Sequence, residues 1–133
     1  MDKFIIHGGK PLTGTMVPSG NKNAALPLMA ACLLTEEPIV LHNMPNITDT
    51  QTMRRLMESL GVQVRQIDAS SYEFLAKDIH PSDLDPDLCR QIRASILLAG
   101  PMLARSGELI LPPPGGDVIG RRRVDTHILA LNK

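Results

Sequence analysis

Only three aromatic side chains, Phe4, Tyr72 and Phe74, occur in the 133 residues. A core built from this chain therefore has to be aliphatic and methionine-rich, with Leu, Ile, Ala and Met filling the gaps. The same scarcity removes the stacking platforms on which base-binding modules rely. Hydrophobic residues still make up 43% of the chain, which suffices for the interior of one small domain or a piece of a larger one. Fourteen basic residues balance fourteen acidic ones, so no overall field draws the chain to nucleic acid or to an anionic membrane. Cys32 and Cys89 lie in apolar or helical stretches without metal-ligand spacing, and read as buried free thiols of a reducing cytosol. No signal-like basic segment opens the sequence, and no apolar run approaches the ~18–20 residues of a membrane span. The reading is a soluble, cytoplasmic protein.

Proline and glycine divide the rest into short elements. Phe4–His7 and Leu12–Val17 read as a hairpin joined through Gly8-Gly9-Lys10-Pro11. After the polar stretch Pro18–Asn23, the run Ala24–Leu34 predicts a helix buried on most sides, with Pro27 in its first turn. Ile39–Leu41 is a strand candidate. Met53, Leu56, Met57 and Leu60 then recur at helical spacing after Thr48 or Asp49, and Gly61 stops that helix. Val62–Ile67 and Tyr72–Ala76 alternate like paired strands. A long helix from Asp87 to about Arg105 is predicted, with Leu88, Ile92, Ile96, Ala99 and Leu103 along one side and a kink at Gly100-Pro101. Glu108–Leu111 reads as a strand, Pro112–Gly120 as a loop, and a last helix starts near Asp125. The mixture of helices and strands puts the class at α/β or α+β. The apolar pattern starting at Ile128 runs up to Lys133 with no stop signal, and a helix that short is unstable alone. The expectation is a chain cut inside an element, whose natural protein continues.

Three segments combine residues that a core does not require. Ser19-Gly20-Asn21-Lys22-Asn23 precedes a buried helix, whose free N–H groups and positive dipole end favour a phosphate or carboxylate. A capped helix with a solvated lysine explains the same letters. Arg90 and Arg93 open a helix that then turns wholly apolar, which fits either an anion site or an ordinary exposed pair. In Pro112–His127, glycines flank Asp117 and are followed by Arg121-Arg122-Arg123, whose forked donors can clamp phosphate. A solvated charge run on a plain loop is the simpler account. The four histidines, His7, His42, His80 and His127, lack metal-site spacing.

The stretches H-G-G-K-P-L-T-G-T-M-V-P-S-G-N-K-N-A-A-L-P, I-R-A-S-I-L-L-A-G-P-M-L-A-R and L-P-P-P-G-G-D-V-I-G-R-R-R-V-D-T-H-I resemble, in order and spacing, three signatures of the UDP-N-acetylglucosamine enolpyruvyl transferases. The resemblance covers essentially the whole chain and about a third of a family member. It implies part of a two-domain inside-out α/β barrel. Residues 1–20 would supply strands of the other, C-terminal domain, and residues 21–133 an incomplete substrate-binding domain carrying the catalytic loop 112–123. It also implies transfer of the enolpyruvyl group of phosphoenolpyruvate to the 3-hydroxyl of UDP-N-acetylglucosamine, with no cofactor or metal. Lys22 matches the residue that holds phosphoenolpyruvate, and Asn23 and Arg93 match contacts of the nucleotide sugar. Arg122 falls on the arginine that binds phosphate and flanks the uracil, with Arg123, Val124, Asp125, Thr126 and His127 on the adjoining substrate-binding stretch. The remainder of the polypeptide would complete the site, so the chain alone is expected to be inactive. The related shikimate-pathway enolpyruvyl transferase, and a non-catalytic fragment or nucleotide-sugar binding module, are the rival readings.

Asp117 stands where the resemblance places a loop cysteine, the proton donor, although some family members carry aspartate there. Arg123 replaces a usual proline, and Thr126 a larger apolar residue. A free carboxyl titrates near ~3.9 and a free thiol near ~8.5. Ligand anions would raise the Asp117 pKa while the neighbouring arginines lower it. Activity is expected to fall toward alkaline pH at a lower pH than in the Asp117→Cys protein; superimposable pH profiles would contradict this. Resistance to fosfomycin, which alkylates the family thiol, is expected on the same ground, and stoichiometric modification of Asp117 would defeat it.

Overall fold

The structure, a computed structural model, describes residues 3–116 and 123–131. Helix α1 (Lys22–Ala31) starts where Asn21 turns extended and its side chain accepts the Asn23 N–H at 2.7 Å. It begins two residues before the apolar run, so Pro27 lies in the second turn, not the first. Its absent N–H leaves the Asn23 carbonyl without the usual donor four residues on. Ala25, Leu26, Met29 and Ala30 are buried, whereas Ala24, Pro27, Leu28 and Ala31 are exposed. Burial is thus one-sided, contrary to the expectation. A short 3-10 turn, Cys32–Leu34, ends the helix.

Strands β1 (Ile39–Leu41), β2 (Gln63–Gln66) and β3 (Tyr72–Leu75) form an antiparallel sheet in the order β1-β3-β2. Phe74, on the central strand, faces Ile39 on one side and Val64 on the other, and is almost fully buried. On the opposite face Glu73 pairs with Arg65 through two hydrogen bonds of 3.1 and 2.8 Å. Helix α2 (Thr48–Ser59) buries Met53, Leu56 and Met57, and Leu60 follows them into the core. Gly61, at φ +95, terminates the helix as its position predicts. The all-antiparallel sheet with its helices gives a mixed fold of the α+β kind.

Three expected elements differ. Residues 3–20 form no strand, and Phe4, Ile6 and Leu12 are each about nine-tenths or more exposed. A lone two-stranded ribbon with neither face covered is marginal, so alternation and turn residues alone do not make a hairpin. Glu108–Leu111 joins no sheet; Leu109 and Leu111 lean on the core while Ile110 faces out. The prolines at 112–114 have no N–H to extend a ladder. The long helix divides into α3 (Pro86–Gln91), a 3-10 segment (Arg93–Leu98) and α4 (Ala99–Ser106), broken at Ile92, which is extended, and not at Gly100-Pro101. Ile92, Ser95 and Leu98, three apart, are the buried side, as a three-residue turn requires.

Arg105 ties these pieces together. Its guanidinium donates to the carbonyls of Leu33 (3.0 Å), Thr35 (3.1 Å) and Lys77 (3.1 Å), and reaches Glu36 at 3.4 Å. The side chain is only 15% exposed. It therefore joins α4 to the end of the first helix and to the turn after β3. Arg105→Ala is expected to lower the unfolding free energy by about 2–3 kcal/mol, because carbonyls lose a charged donor, with Arg105→Lys recovering only part. Urea unfolding checks this, and a loss below about 0.5 kcal/mol would contradict it.

Candidate functional site

Gly20 sets the approach to α1. A Cβ there would overlap the Asn43 carbonyl oxygen, so the chain can pass this close only without a side chain. Lys22 is the first residue of the helix, and its ammonium donates to Asp49 in the first turn of α2 at 2.7 Å. The two side chains are 49% and 36% exposed, so this cation stands at the surface with one carboxylate beside it. Asn23 follows, exposed, with its backbone N–H engaged by Asn21.

Arg93 lies on a different element. It opens the 3-10 segment after the break at Ile92 and is half-buried, and among the described residues its guanidinium makes no ion pair or hydrogen bond. The base of the proline-glycine loop rests against it: Gly115 donates to the Cys89 carbonyl and Gly116 to the Arg90 carbonyl, both at 2.9 Å. The 3-10 segment packs against α1, which brings the elements of Arg93 and Lys22 together. Asp117, Arg121 and Arg122 lie outside the described residues.

Beyond the loop, Arg123 forks onto Asp125: Nε donates at 3.1 Å, and a terminal nitrogen pairs with the other carboxylate oxygen. Asp125 is the first residue of α5 (Asp125–Leu131), and Thr126 is exposed. Val124 is half-buried and, with Ile128 and Leu131, lines an apolar cavity of about 460 Å³ against Ile96, Leu103 and Leu109. Among the described residues no hydrogen bond or ion pair joins Lys22 or Arg93 to residues 123–126.

Burial pushes the Cys32 thiol up to about 11 and the Cys89 thiol upward, so neither is a ready thiolate. Both are buried free cysteines, as expected. Among the described residues no cluster of His, Cys, Asp or Glu could hold a metal ion, and no helix is long and apolar enough to cross a membrane. Asp49 and the glycine pair were missed by sequence reasoning. The letters place Asp49 only at the start of a helix, and Gly115-Gly116 only as glycines beside Asp117 that permit a close backbone approach and a hinged loop.

In fold the chain is similar to the enolpyruvyl transferase NikO from Streptomyces tendae, with a TM-score of 0.65 and 26% identity, over 77% of this chain and 24% of that one. The class is therefore that of the enolpyruvyl transferases. More particularly, the chain belongs to the family described as EPSP synthase (3-phosphoshikimate 1-carboxyvinyltransferase), which matches residues 6–133. It is 56% identical, over 98% of its length, to a UDP-N-acetylglucosamine 1-carboxyvinyltransferase of Bradyrhizobium diazoefficiens, and 52% identical, over all of it, to one of Treponema denticola. The resemblance carried by the three motifs is borne out. The chain spans 30% and 31% of the length of these two relatives.

The exposure of Lys22 and Asp49 makes their ion pair a weak contributor to stability. Asp49→Asn is expected to change the unfolding free energy by less than about 1 kcal/mol. A loss well above that would show that the pair fastens α1 to α2.

Proposed function

We propose that this chain is the N-terminal part of a bacterial, cytoplasmic enzyme that transfers the enolpyruvyl group of phosphoenolpyruvate to the 3-hydroxyl of UDP-N-acetylglucosamine, opening peptidoglycan synthesis. The observation that carries the reading is the 56% identity to a protein of that name over 98% of this chain, a span within which all three motifs lie.

Lys22, at the positive end of α1, binds the phosphate of phosphoenolpyruvate in exchange for its contact with Asp49, and Asn23 lies beside it. Arg93 and the stretch Arg122, Arg123, Val124, Asp125 and Thr126 take the nucleotide sugar, with Arg122 also neutralising phosphate. Asp117, the proton donor, protonates the methylene carbon of phosphoenolpyruvate. The sugar hydroxyl oxygen bonds to the adjacent carbon, whose positive charge the bridging ester oxygen shares. The hydroxyl proton passes to a base that the rest of the polypeptide supplies. Loss of a methyl proton and departure of inorganic phosphate then restore the carbon–carbon double bond.

Residues 1–20 belong to a second domain, and residues 21–133 to a substrate-binding domain that the rest of the polypeptide completes. The bare apolar side chains Phe4, Ile6 and Leu12, the exposed apolar face of α1 and the open cavity beside α5 support this. The family description supplies a second reading, with 3-phosphoshikimate as acceptor. The loop Pro112–Asp125 favours the nucleotide sugar, because its signature is that of the nucleotide-sugar branch.

Phosphate release by the product of the complete reading frame tests the proposal. Release from phosphoenolpyruvate is expected with UDP-N-acetylglucosamine and not with shikimate 3-phosphate, and none from the 133-residue chain alone. Release with shikimate 3-phosphate only, or binding of the nucleotide sugar without turnover, would overturn it.

A further inference from the structure

The break at Ile92 (φ −133, ψ 137) carries the N–H groups of Arg93 and Ala94 out of reach of the carbonyls four residues earlier. Those carbonyls, of Cys89 and Arg90, accept instead from Gly115 and Gly116, both at 2.9 Å. Two residues of a distant segment thus replace two missing helical hydrogen bonds. The fit excludes side chains. A Cβ on Gly115 would overlap the Arg90 carbonyl and lie 2.6 Å from its Cα. One on Gly116, which holds φ +86, would lie 2.9 Å from the Arg93 nitrogen.

We propose that this glycine pair is a backbone clamp that positions Arg93 for the nucleotide sugar, with Gly115 the positioning residue. The clamp holds the helix open at Ile92, so Arg93 begins a new segment and its side chain leaves in a direction that a continuous helix would not give. A methyl group at residue 115 forces the two backbones apart and releases the carbonyls, and Arg93 moves with them. The inference rests on the nucleotide-sugar reading of Arg93 given above.

A double-mutant cycle in the product of the complete reading frame tests it. Gly115→Ala is expected to weaken UDP-N-acetylglucosamine binding about tenfold by calorimetry, with KM for that substrate rising in step and kcat changing less. In an Arg93→Ala background the same substitution is expected to cost less than about twofold, because the side chain it misplaces is gone. Equal losses in both backgrounds mean a general structural role and overturn the inference. Should Gly115→Ala fail to fold, amide exchange in the unmodified protein decides instead. In the unmodified protein the Gly115 and Gly116 amides are expected to exchange slowly with solvent; exchange at the rate of an open loop overturns the clamp. A wild-type protein that binds no nucleotide sugar overturns the functional reading and this inference together, whereas intact binding with additive losses overturns this inference alone.

Discussion

The carbonyls of Cys89 and Arg90 lose their helical donors at Ile92, and leaving such groups unpaired away from water costs about 1–3 kcal/mol each. Gly115 and Gly116 meet that need, and in doing so they fix where the proline-glycine segment crosses the helices. The path of residues 109–116 follows from this crossing. Leu109 and Leu111 lean on the core on the way in, and the three prolines stiffen the approach. The helix break, the glycine pair and the position of Arg93 are one arrangement, in which each part is explained by the other two.

The charged groups divide into two kinds. Arg105 is committed to the fold, since its donors are spent on three carbonyls from two distant stretches of chain. Lys22 and Arg123 are paired with Asp49 and Asp125 at exposed positions, where an ion pair contributes roughly 0–1 kcal/mol. Contacts that weak can be exchanged for a doubly charged phosphate with little loss to the fold. A chain with equal numbers of acids and bases can in this way keep exchangeable surface cations without carrying a net positive field.

Much of this was legible in the letters. Met53, Leu56, Met57 and Leu60 specify α2 by their spacing, and Val64 and Phe74 specify the strand pair by alternation, because in each case one face meets a core supplied by this chain. The hairpin at residues 4–17 had the same local signs and did not form, since no layer covers it among the described residues. The break at Ile92 was invisible because its cause lies more than twenty residues away, in two glycines whose letters permit a close approach without saying to what. Lys22, Asn23 and Arg93 enter as candidates through the resemblance, because local physics reads the same letters equally as a capped helix and an exposed pair. The pairing of Lys22 with Asp49 needs the packing of α1 on α2, which no short-range pattern encodes.

The proposed reaction requires Lys22 and Arg93, 71 positions apart in the sequence, to serve one cleft together with Arg122. A crystal structure of the complete polypeptide with UDP-N-acetylglucosamine and phosphoenolpyruvate bound tests it most directly. The expected result has all three side chains within hydrogen-bond distance of ligand oxygens, with Lys22 turned from Asp49 toward phosphate. Ligands held elsewhere, with these three cations on separate faces of the molecule, would contradict it.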